Sequence, residues 1–429
     1  MTAFPQNPEV VVIGAGTAGL SVAKSLRQAG IETLVLEADR HVGGRCVTDK
    51  TTFSKPFDLG ASWLHSVPIN PLARLAEKAG KPLYKTPWIW SRVHAMGRDL
   101  TRDEVQDYRA YHDKMWQAVN DAGGQTLDTP TQAALPPGPW QAAATHMISQ
   151  MLAADADVTS AKDTYNYADA VGDWLVGGGL GTFIASLHND VPVCLNCPVS
   201  KIDYTGAGVR VTTPQGTVTA DRCAISVSTG VLASGAIEFV PALPDPKRAA
   251  IDLLPLGLLN KIGIEFDPGW TKATEGQMAD YQSSADEFCS LLFGFYGSQV
   301  AVGFVAGRFA DALEMQGLGA ATEYCLEGLR ASFGTDATKY IRRTSETAWR
   351  GNSHTAGSYS YAKPHGTEAR RTLADPLAER VFFAGEATMV DSYSTVHGAY
   401  LSGQRAAKQI IFAKKIALTR TIVHTLISG

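Results

Sequence analysis

Three glycines near the N-terminus have a spacing that suits contact with phosphate. Gly14, Gly16 and Gly19 follow an apolar run at residues 10–13 and lead into a helical pattern at 17–28. The first glycine permits a tight turn, the second admits a pyrophosphate to the backbone, and the third lets helix and strand pack closely. The start of such a helix carries free N–H groups and a positive dipole end, which attract an anion.

An acidic residue completes this first strand–helix–strand pattern. A second apolar run at residues 33–36 ends at Glu37. A carboxylate in this place accepts hydrogen bonds from the hydroxyls of an adenosine ribose. The pattern therefore predicts an adenine dinucleotide site, and a glycine-rich turn without a ligand is the alternative.

A second glycine-rich element lies shortly beyond Glu37. Gly43 and Gly44 free the backbone to approach a ligand, and Arg45 offers five donors to phosphate. A domain that binds only a nicotinamide dinucleotide does not need this element, whereas a domain that binds the larger flavin dinucleotide does. The segment FDLGASWLHS at residues 57–66 then supplies small residues where backbone passes close to a flat ring.

Length and composition favour a globular protein with more than one core. The chain has 429 residues, of which 45% are hydrophobic and 19% charged, and its formal net charge is −4. Two intertwined domains are expected at this length. Since no positive field attracts nucleic acid, we expect no nucleic-acid partner. Cys194 and Cys197 follow a strand pattern and open no helix, so a redox or zinc role for them is the less favoured interpretation.

Nothing in the sequence indicates a membrane or secretory protein. No run reaches the roughly 20 apolar residues that span a bilayer, and no secretory signal is visible. The apolar C-terminal segment 406–427 is interrupted by basic residues, which favours a surface helix or partner contact over membrane attachment. We therefore expect a cytoplasmic monomer or homodimer.

Four segments together resemble the flavin-containing amine oxidase family. They are GAGTAGL…E…GGR, GASWLH, LLNKI and FAGEAT…YSTVHGAYLSGQRAA, and they extend over nearly the whole chain. Within the family the chain looks most like the branch of polyamine oxidases and lysine-specific histone demethylases. A coiled-coil insertion of the demethylase type is missing, which argues against a chromatin role.

The resemblance implies an α/β fold in which a Rossmann-type FAD-binding domain is interleaved with a mixed-sheet and helical substrate domain. The FAD-binding domain is expected at residues 1–80, 191–255 and 376–429. The substrate domain is expected at 81–190 and 256–375. The glycine-rich segment LVGGGLG at 175–181 is interpreted as a structural return into the cofactor domain and not as a second phosphate site.

The resemblance also implies which residues contact the cofactor. They are Gly14, Gly16, Ala18, Gly19, Glu37, Ala38, Gly44, Arg45, Gly60, Ala61, Ser62, Trp63, Val199, Trp349, Gly385, Glu386, Thr395 and Val396. Ser358 stands where monoamine oxidases carry a flavin-linked cysteine, so the FAD is predicted to be non-covalent. No metal is expected.

Four residues are implied as catalytic. Lys261 interrupts an apolar strand pattern, which is costly without a partner or a task, and the family places this lysine beside flavin N5, bridged by water. Tyr359 corresponds to one tyrosine of an amine-binding pair, and Thr395 stands in place of the other. His65 is either a hydrogen-bonded structural histidine or a residue on the substrate side. We expect Lys261, Tyr359 and Thr395 to converge.

The implied reaction moves a hydride from the α-carbon of a neutral amine to flavin N5. The imine is hydrolysed to an aldehyde or ketone, and O2 reoxidises the flavin to give H2O2. The alternatives are a related FAD-dependent desaturase or dehydrogenase, an L-amino-acid oxidase, or a flavin-bound scaffold. Whether the amine is a polyamine, monoamine, cyclic amine or amino acid stays open.

Overall fold

The computed structural model describes residues 8–86, 88–95 and 97–428. The α-helices are α1 (Thr17–Gln28), α2 (Pro71–Lys78), α3 (Arg102–Gly123), α4 (Gln141–Leu152), α5 (Ala161–Asn166), α6 (Leu180–Leu187), α7 (Thr229–Ala233), α8 (Asp245–Leu253), α9 (Gly307–Gln316), α10 (Ala320–Phe333), α11 (Ala369–Ala374) and α12 (Val396–Ser428).

The strands lie between and around these helices. They are β1 (Val10–Ile13), β2 (Thr33–Leu36), β3 (Thr48–Asp49), β4 (Phe57–Asp58), β5 (Trp63–Leu64), β6 (Leu83–Lys85), β7 (Ile89–Ala95), β8 (Arg98–Asp99), β9 (Trp174–Val176), β10 (Val193–Cys194), β11 (Lys201–Asp203), β12 (Val209–Thr213), β13 (Gly216–Ala220), β14 (Arg222–Ile225), β15 (Glu238–Val240), β16 (Leu259–Phe266), β17 (Gln277–Gln282), β18 (Phe288–Leu292), β19 (Val300–Ala306), β20 (Ile341–Glu346) and β21 (Val381–Phe383).

The chain folds into two compact units, each assembled from separate segments. The first unit comprises Met1–Gly44, Ile184–Asp252 and Glu368–Gly429, and the second comprises Arg45–Phe183 and Leu253–Thr367. Residues 45–80, expected in the FAD-binding domain, group with the second unit. The division of cofactor and substrate binding between the domains stays a prediction.

The first unit is built on a parallel five-stranded sheet in the order β10-β2-β1-β14-β21. Strands β1 and β2 are buried along their whole length, as expected for parallel strands covered on both faces. Helix α1 buries Leu20 and Leu26 in the core that also contains Ala406 and Ile410 of α12. The predicted bounds of β1, α1 and β2 are confirmed.

A second, four-stranded sheet in the same unit has the order β13-β12-β11-β15. The turn residues Pro214, Gln215 and Gly216 predict a hairpin over residues 209–218, and β12 and β13 confirm it. The sequence also predicts a strand at 199–204, of which the structure forms only Lys201–Asp203 as β11. Ser200 continues the hydrogen bonding of this strand, since its N–H donates to the Thr212 carbonyl at 2.9 Å and its carbonyl accepts the Glu238 N–H at 2.8 Å.

The second unit contains a mixed seven-stranded sheet in the order β20-β16-β19-β18-β17-β7-β8. Strand β16, which pairs with β20 and β19, is buried at seven of its eight positions. Helix α3 begins with a capping box in which Thr101 and Glu104 exchange hydrogen bonds. Among the described residues, no helix is long and apolar enough to cross a membrane.

Candidate active site

The glycine turn after β1 leaves space for a ligand at one glycine only. A Cβ on Gly19 would lie 2.0 Å from the carbonyl oxygen of Gly14, and a Cβ on Gly14 would lie 2.8 Å from Ser226 Oγ. Gly14 also has φ +98°, which favours glycine. A Cβ on Gly16 would meet only the Gly43 oxygen, at 3.9 Å. Close packing within the fold therefore requires glycine at positions 14 and 19. The open space at Gly16 instead fits the approach of a pyrophosphate.

The Glu37 carboxylate lies beside this turn and is 7% exposed. It accepts the Ala15 N–H at 2.5 Å and the Asp39 N–H at 2.8 Å. A carboxylate has about four acceptor sites, so two remain for ribose hydroxyls. Gly44 also lies close to this turn, since a Cβ on Gly44 would lie 3.4 Å from Gly16 Cα. The structure thus brings the predicted turn, acid and second glycine element together in a site that fits the adenosine diphosphate half of FAD.

The remaining predicted cofactor residues of the first unit lie at the ends of its elements. Ala18 is buried in the first turn of α1, and Ala38 directly follows Glu37. Val199 is half-buried in the extended segment between β10 and β11. Glu386 follows β21 and Gly385, and its Oε2 accepts the Ser394 N–H at 3.0 Å. Their contacts with FAD stay predictions.

Thr395 caps the helix that begins at Val396. Its Oγ1 accepts the Gly398 N–H at 3.0 Å and donates to the Ser392 carbonyl at 2.7 Å. Such a cap typically stabilises a helix by about 1 kcal/mol. The hydroxyl is therefore engaged with the backbone. Thr395 belongs to the first unit and Lys261 to the second, so their expected convergence stays a prediction.

Lys261 lies on β16 of the second unit and is 3% exposed. Its Nζ donates to Ser62 Oγ at 2.5 Å, to the carbonyl oxygen of Gly60, and to that of Asp58 at 3.3 Å. Nζ also lies 5.2 Å from the centroid of the Trp63 ring. Burial lowers the pKa of Lys261 to about 8, and the negative charge of Asp58 opposes this shift. The predicted lysine is thus buried, bonded to the GASW segment, and able to titrate near neutral pH.

The buried Asp58 carboxylate was missed by sequence reasoning. The hydroxyls of Thr48, at 2.5 Å, and of Tyr296 donate to it. The N–H groups of Leu180 and Gly181, at 2.8 and 3.2 Å, do the same. The glycine-rich turn before α6 therefore binds a carboxylate of the chain itself, in agreement with its structural interpretation. Burial raises the pKa of Asp58, and these donors oppose the shift.

The small residues of the GASW segment allow a close approach of three chain segments. A Cβ on Gly60 would lie 1.9 Å from the carbonyl oxygen of Arg45 and 3.1 Å from Cζ2 of Trp349. The Ala61 N–H donates to the same Arg45 oxygen at 3.1 Å. The Arg45 guanidinium donates to the Ser358 carbonyl at 2.6 Å. The structure therefore brings the predicted cofactor residues Arg45, Gly60, Ala61 and Trp349 together. The contacts described here are between these residues and other parts of the protein.

The segment SYSY at residues 358–361 is hydrogen-bonded to the start of β16. Ser358 Oγ donates to the Leu259 carbonyl at 2.9 Å and accepts the Leu259 N–H at 2.8 Å. The Tyr359 hydroxyl donates to the Gln150 carbonyl at 2.8 Å, and burial raises its pKa. Ser358 is therefore a structural residue, and Tyr359 has its hydroxyl fixed by α4.

His65 is both hydrogen-bonded and accessible. Its Nδ1 lies 2.7 Å from Asp173 Oδ1, and 42% of its side chain is exposed. The carboxylate orients the imidazole, which leaves Nε2 to face solvent or a ligand. This arrangement is compatible with either of the two roles considered for His65.

Two buried lysines predict a pH dependence of stability. Burial lowers the pKa values of Lys247 and Lys261 to about 8, below the ordinary 10.5. Between these values the unfolded chain binds more protons, so the free energy of unfolding is expected to rise with pH, by at most about 1.4 kcal/mol per pH unit for each lysine. Urea unfolding from pH 7.5 to 10 measures the slope. Lys247→Met and Lys261→Met are each expected to reduce it, and an unchanged slope in both would contradict the prediction.

Two protein-family models and several known proteins are similar to this chain. The family model of flavin-containing amine oxidoreductases matches residues 123–411, and that of an NAD(P)-binding Rossmann-like domain matches residues 12–79. Polyamine oxidase 4 of Oryza sativa subsp. japonica is 32% identical over 95% of this chain and 90% of its own length. Polyamine oxidase 2 of Arabidopsis thaliana is 32% identical over 94% of this chain and 88% of its own.

Solved structures show the same fold. Putrescine oxidase bound to putrescine has a TM-score of 0.76 at 21% identity, covering 95% of this chain and all (100%) of that one. Cyclohexylamine oxidase from Brevibacterium oxydans IH-35A also has a TM-score of 0.76 at 21% identity, covering 96% of this chain. The chain therefore belongs to the flavin-containing amine oxidoreductase family and is an FAD-dependent enzyme that oxidises amines.

Proposed function

We propose that this enzyme is an oxidase of small aliphatic diamines or polyamines that uses O2 as its electron acceptor. The observation that carries the proposal is the buried Lys261, held at the edge of an aromatic surface. The similarity to polyamine oxidases over nearly the whole chain supports the substrate class.

The aromatic surface consists of Trp63 and the rings around it. Trp88, Phe295 and Phe304 lie 5.6, 5.5 and 6.1 Å from Trp63 between ring centroids. Trp88 is 44% exposed, so the surface extends from Lys261 toward solvent. Aromatic faces attract alkylammonium groups by about 0.5–2 kcal/mol and accept methylene chains. Both properties suit a chain of methylenes with amines at intervals.

The residues of this chain supply the environment of the reaction, and the bound FAD supplies the two-electron acceptor. The positive charge of protonated Lys261 disfavours the ammonium form of the amine nearest to it, and the neutral amine is the form that reacts. The three N–H donors of protonated Lys261 are taken by protein acceptors, and its positive charge is available to stabilise a developing negative charge. Tyr359, fixed through its hydroxyl, presents a rigid ring.

Anaerobic flavin bleaching with an amine panel tests the proposal. The panel contains putrescine, spermidine, spermine, an aryl-alkyl amine, cyclohexylamine and several L-amino acids, and H2O2 is measured after O2 is admitted. We expect bleaching first with a diamine or polyamine, followed by stoichiometric H2O2. Bleaching only by a non-amine reductant would favour the desaturase alternative, and bleaching only by amino acids would favour the L-amino-acid oxidase.

A histone substrate is the second candidate, because demethylases are among the relatives. Lysine-specific histone demethylase 1 homolog 1 of Oryza sativa is 29% identical, and this chain covers 53% of its length. A methylated histone H3 tail peptide therefore belongs in the panel. Turnover of this peptide but not of spermidine would overturn the proposed substrate class.

FAD is expected to dissociate from the protein when the protein is denatured, because no covalent bond holds it. Ser358 has no thiol with which to form a thioether, and its hydroxyl is bonded to the backbone of β16. Acid precipitation of the holoenzyme should release essentially all flavin into the supernatant, measured by its absorbance and fluorescence. Yellow flavin retained in the washed pellet would contradict a non-covalent cofactor.

We also propose a cytoplasmic location and a monomeric or homodimeric state. All six cysteines are free thiols, which suits a reducing compartment. Cell fractionation tests the location, and light scattering coupled to gel filtration tests the oligomeric state.

A further inference from the structure

A buried carboxylate lies next to the candidate catalytic lysine without a role in the proposed reaction. Asp58 is 0% exposed. Its main-chain oxygen accepts Lys261 Nζ at 3.3 Å, and its carboxylate points to other groups. Asp58 therefore contacts the lysine through the backbone and acts on it through charge.

The hydrogen-bond donors around the Asp58 carboxylate favour its ionised form and oppose the effect of burial, which raises its pKa. It accepts N–H groups from Leu180 and Gly181, which are donors only, and hydroxyls from Thr48 and Tyr296. An ionised carboxylate accepts about four hydrogen bonds, whereas a protonated one needs an acceptor for its own O–H. The two N–H groups lie at the start of α6, where the helix dipole also favours negative charge.

The other groups that face Lys261 within the described part of the second unit carry no charge. The Cys46 thiol is buried, and its pKa is raised well above the ordinary value by burial, so it is neutral. The rings of Trp63 and Phe295 lie 5.2 and 6.0 Å from Nζ. The Ser62 hydroxyl and the Gly60 carbonyl are neutral acceptors. The Asp58 carboxylate is therefore the negative charge that these segments bring to Lys261.

We propose that Asp58 is a positioning residue for amine oxidation: its carboxylate is the counter-ion that keeps Lys261 protonated near neutral pH, and its main-chain oxygen directs Nζ. A buried ammonium without a counter-ion loses its proton readily. The neutral amine has only two N–H donors for the three acceptors that surround it. Loss of the proton would therefore leave one of these acceptors without its donor and weaken the orientation of the side chain. The catalytic consequence rests on the proposed function, whereas the charge coupling does not.

The test follows the protonation of Lys261 directly. Holoenzyme labelled with [ε-13C]lysine is titrated by NMR, and Lys261→Met identifies the resonance. Asp58→Asn, which keeps the shape of the side chain and removes its charge, is expected to lower the Lys261 pKa by about one unit or more. The pH profile of flavin reoxidation should move in the same direction. Because the NMR titration needs no amine, failure of the amine panel would leave this result intact.

Tyr296→Phe is the matched control for Asp58→Asn. It removes one donor to the carboxylate but keeps the charge, so the negative potential at Lys261 increases and the lysine pKa is expected to rise. A purely structural role would reduce thermal stability in both variants without opposite pKa shifts. An unchanged Lys261 pKa in Asp58→Asn would overturn the proposal. If Asp58→Asn does not fold, an unchanged Lys261 pKa in Tyr296→Phe would overturn it.

Discussion

Substituting Lys261 by methionine is expected to slow reoxidation of the reduced enzyme by O2 about 100-fold. The buried Nζ has three acceptors, two of them in the GASW segment, and is able to carry a positive charge. A methionine fills similar volume but offers no donor and no charge. Stopped-flow mixing of amine-reduced enzyme with O2 measures the rate constant directly.

Lys247→Met is the matched control. Lys247 is also buried with a lowered pKa, but its Nζ donates to the carbonyl oxygens of Thr372, Leu373 and Asp375 in the first unit. This variant should lose stability and reoxidise at the normal rate. If Lys261→Met left both reduction and reoxidation unchanged, the predicted role of Lys261 would be wrong.

Gly19→Ala is expected to unfold the first unit or to destabilise it by about 3 kcal/mol or more. Its Cβ would lie 2.0 Å from the Gly14 carbonyl oxygen and 2.5 Å from Ser226 Oγ, and because the closest clash is with backbone, no side-chain rotation relieves it. The purified variant should lack FAD and melt at a lower temperature than the wild-type apoprotein.

Gly16→Ala separates ligand binding from folding. Its Cβ would meet only the Gly43 oxygen, at 3.9 Å, so the apoprotein should keep its stability. A methyl group in the space left for the pyrophosphate should raise the Kd for FAD at least about tenfold, equivalent to 1.4 kcal/mol. Fluorescence titration of apoprotein with FAD measures this change. Normal FAD affinity in Gly16→Ala would show that the pyrophosphate lies elsewhere.

Local patterns were sufficient to predict the elements around the glycine turn. The bounds of β1, α1 and β2 follow from apolar runs and glycine spacing, which depend on neighbours in the sequence. The burial of Lys261 was predicted in the same way, because a lysine in an apolar strand pattern requires a partner. Its partners were not predictable, since Asp58 lies 203 residues away in the chain. Tyr296 and Asp58 are likewise 238 residues apart.

Thr395 has a structural role, helix capping, that the family resemblance did not indicate. The resemblance placed it opposite Tyr359 as part of an amine-binding pair. The structure shows its hydroxyl at the N-cap of α12. A threonine directly before a helix is a common N-cap, so capping preference was the available signal. Gly385 and Val199 have no comparable local signal, because their predicted roles depend on a ligand.

The strands and helices of the first unit lie far apart along the chain, and this order has a consequence for folding during translation. The parallel sheet receives its edge strand β21 from residues 381–383, and the core beneath α1 is completed by Ala406 and Ile410 of α12. A nascent chain that has reached residue 370 therefore exposes one face of α1 and the free edge of β14. The dinucleotide turn therefore leaves the ribosome long before β21 and α12, the segments that complete its supporting core.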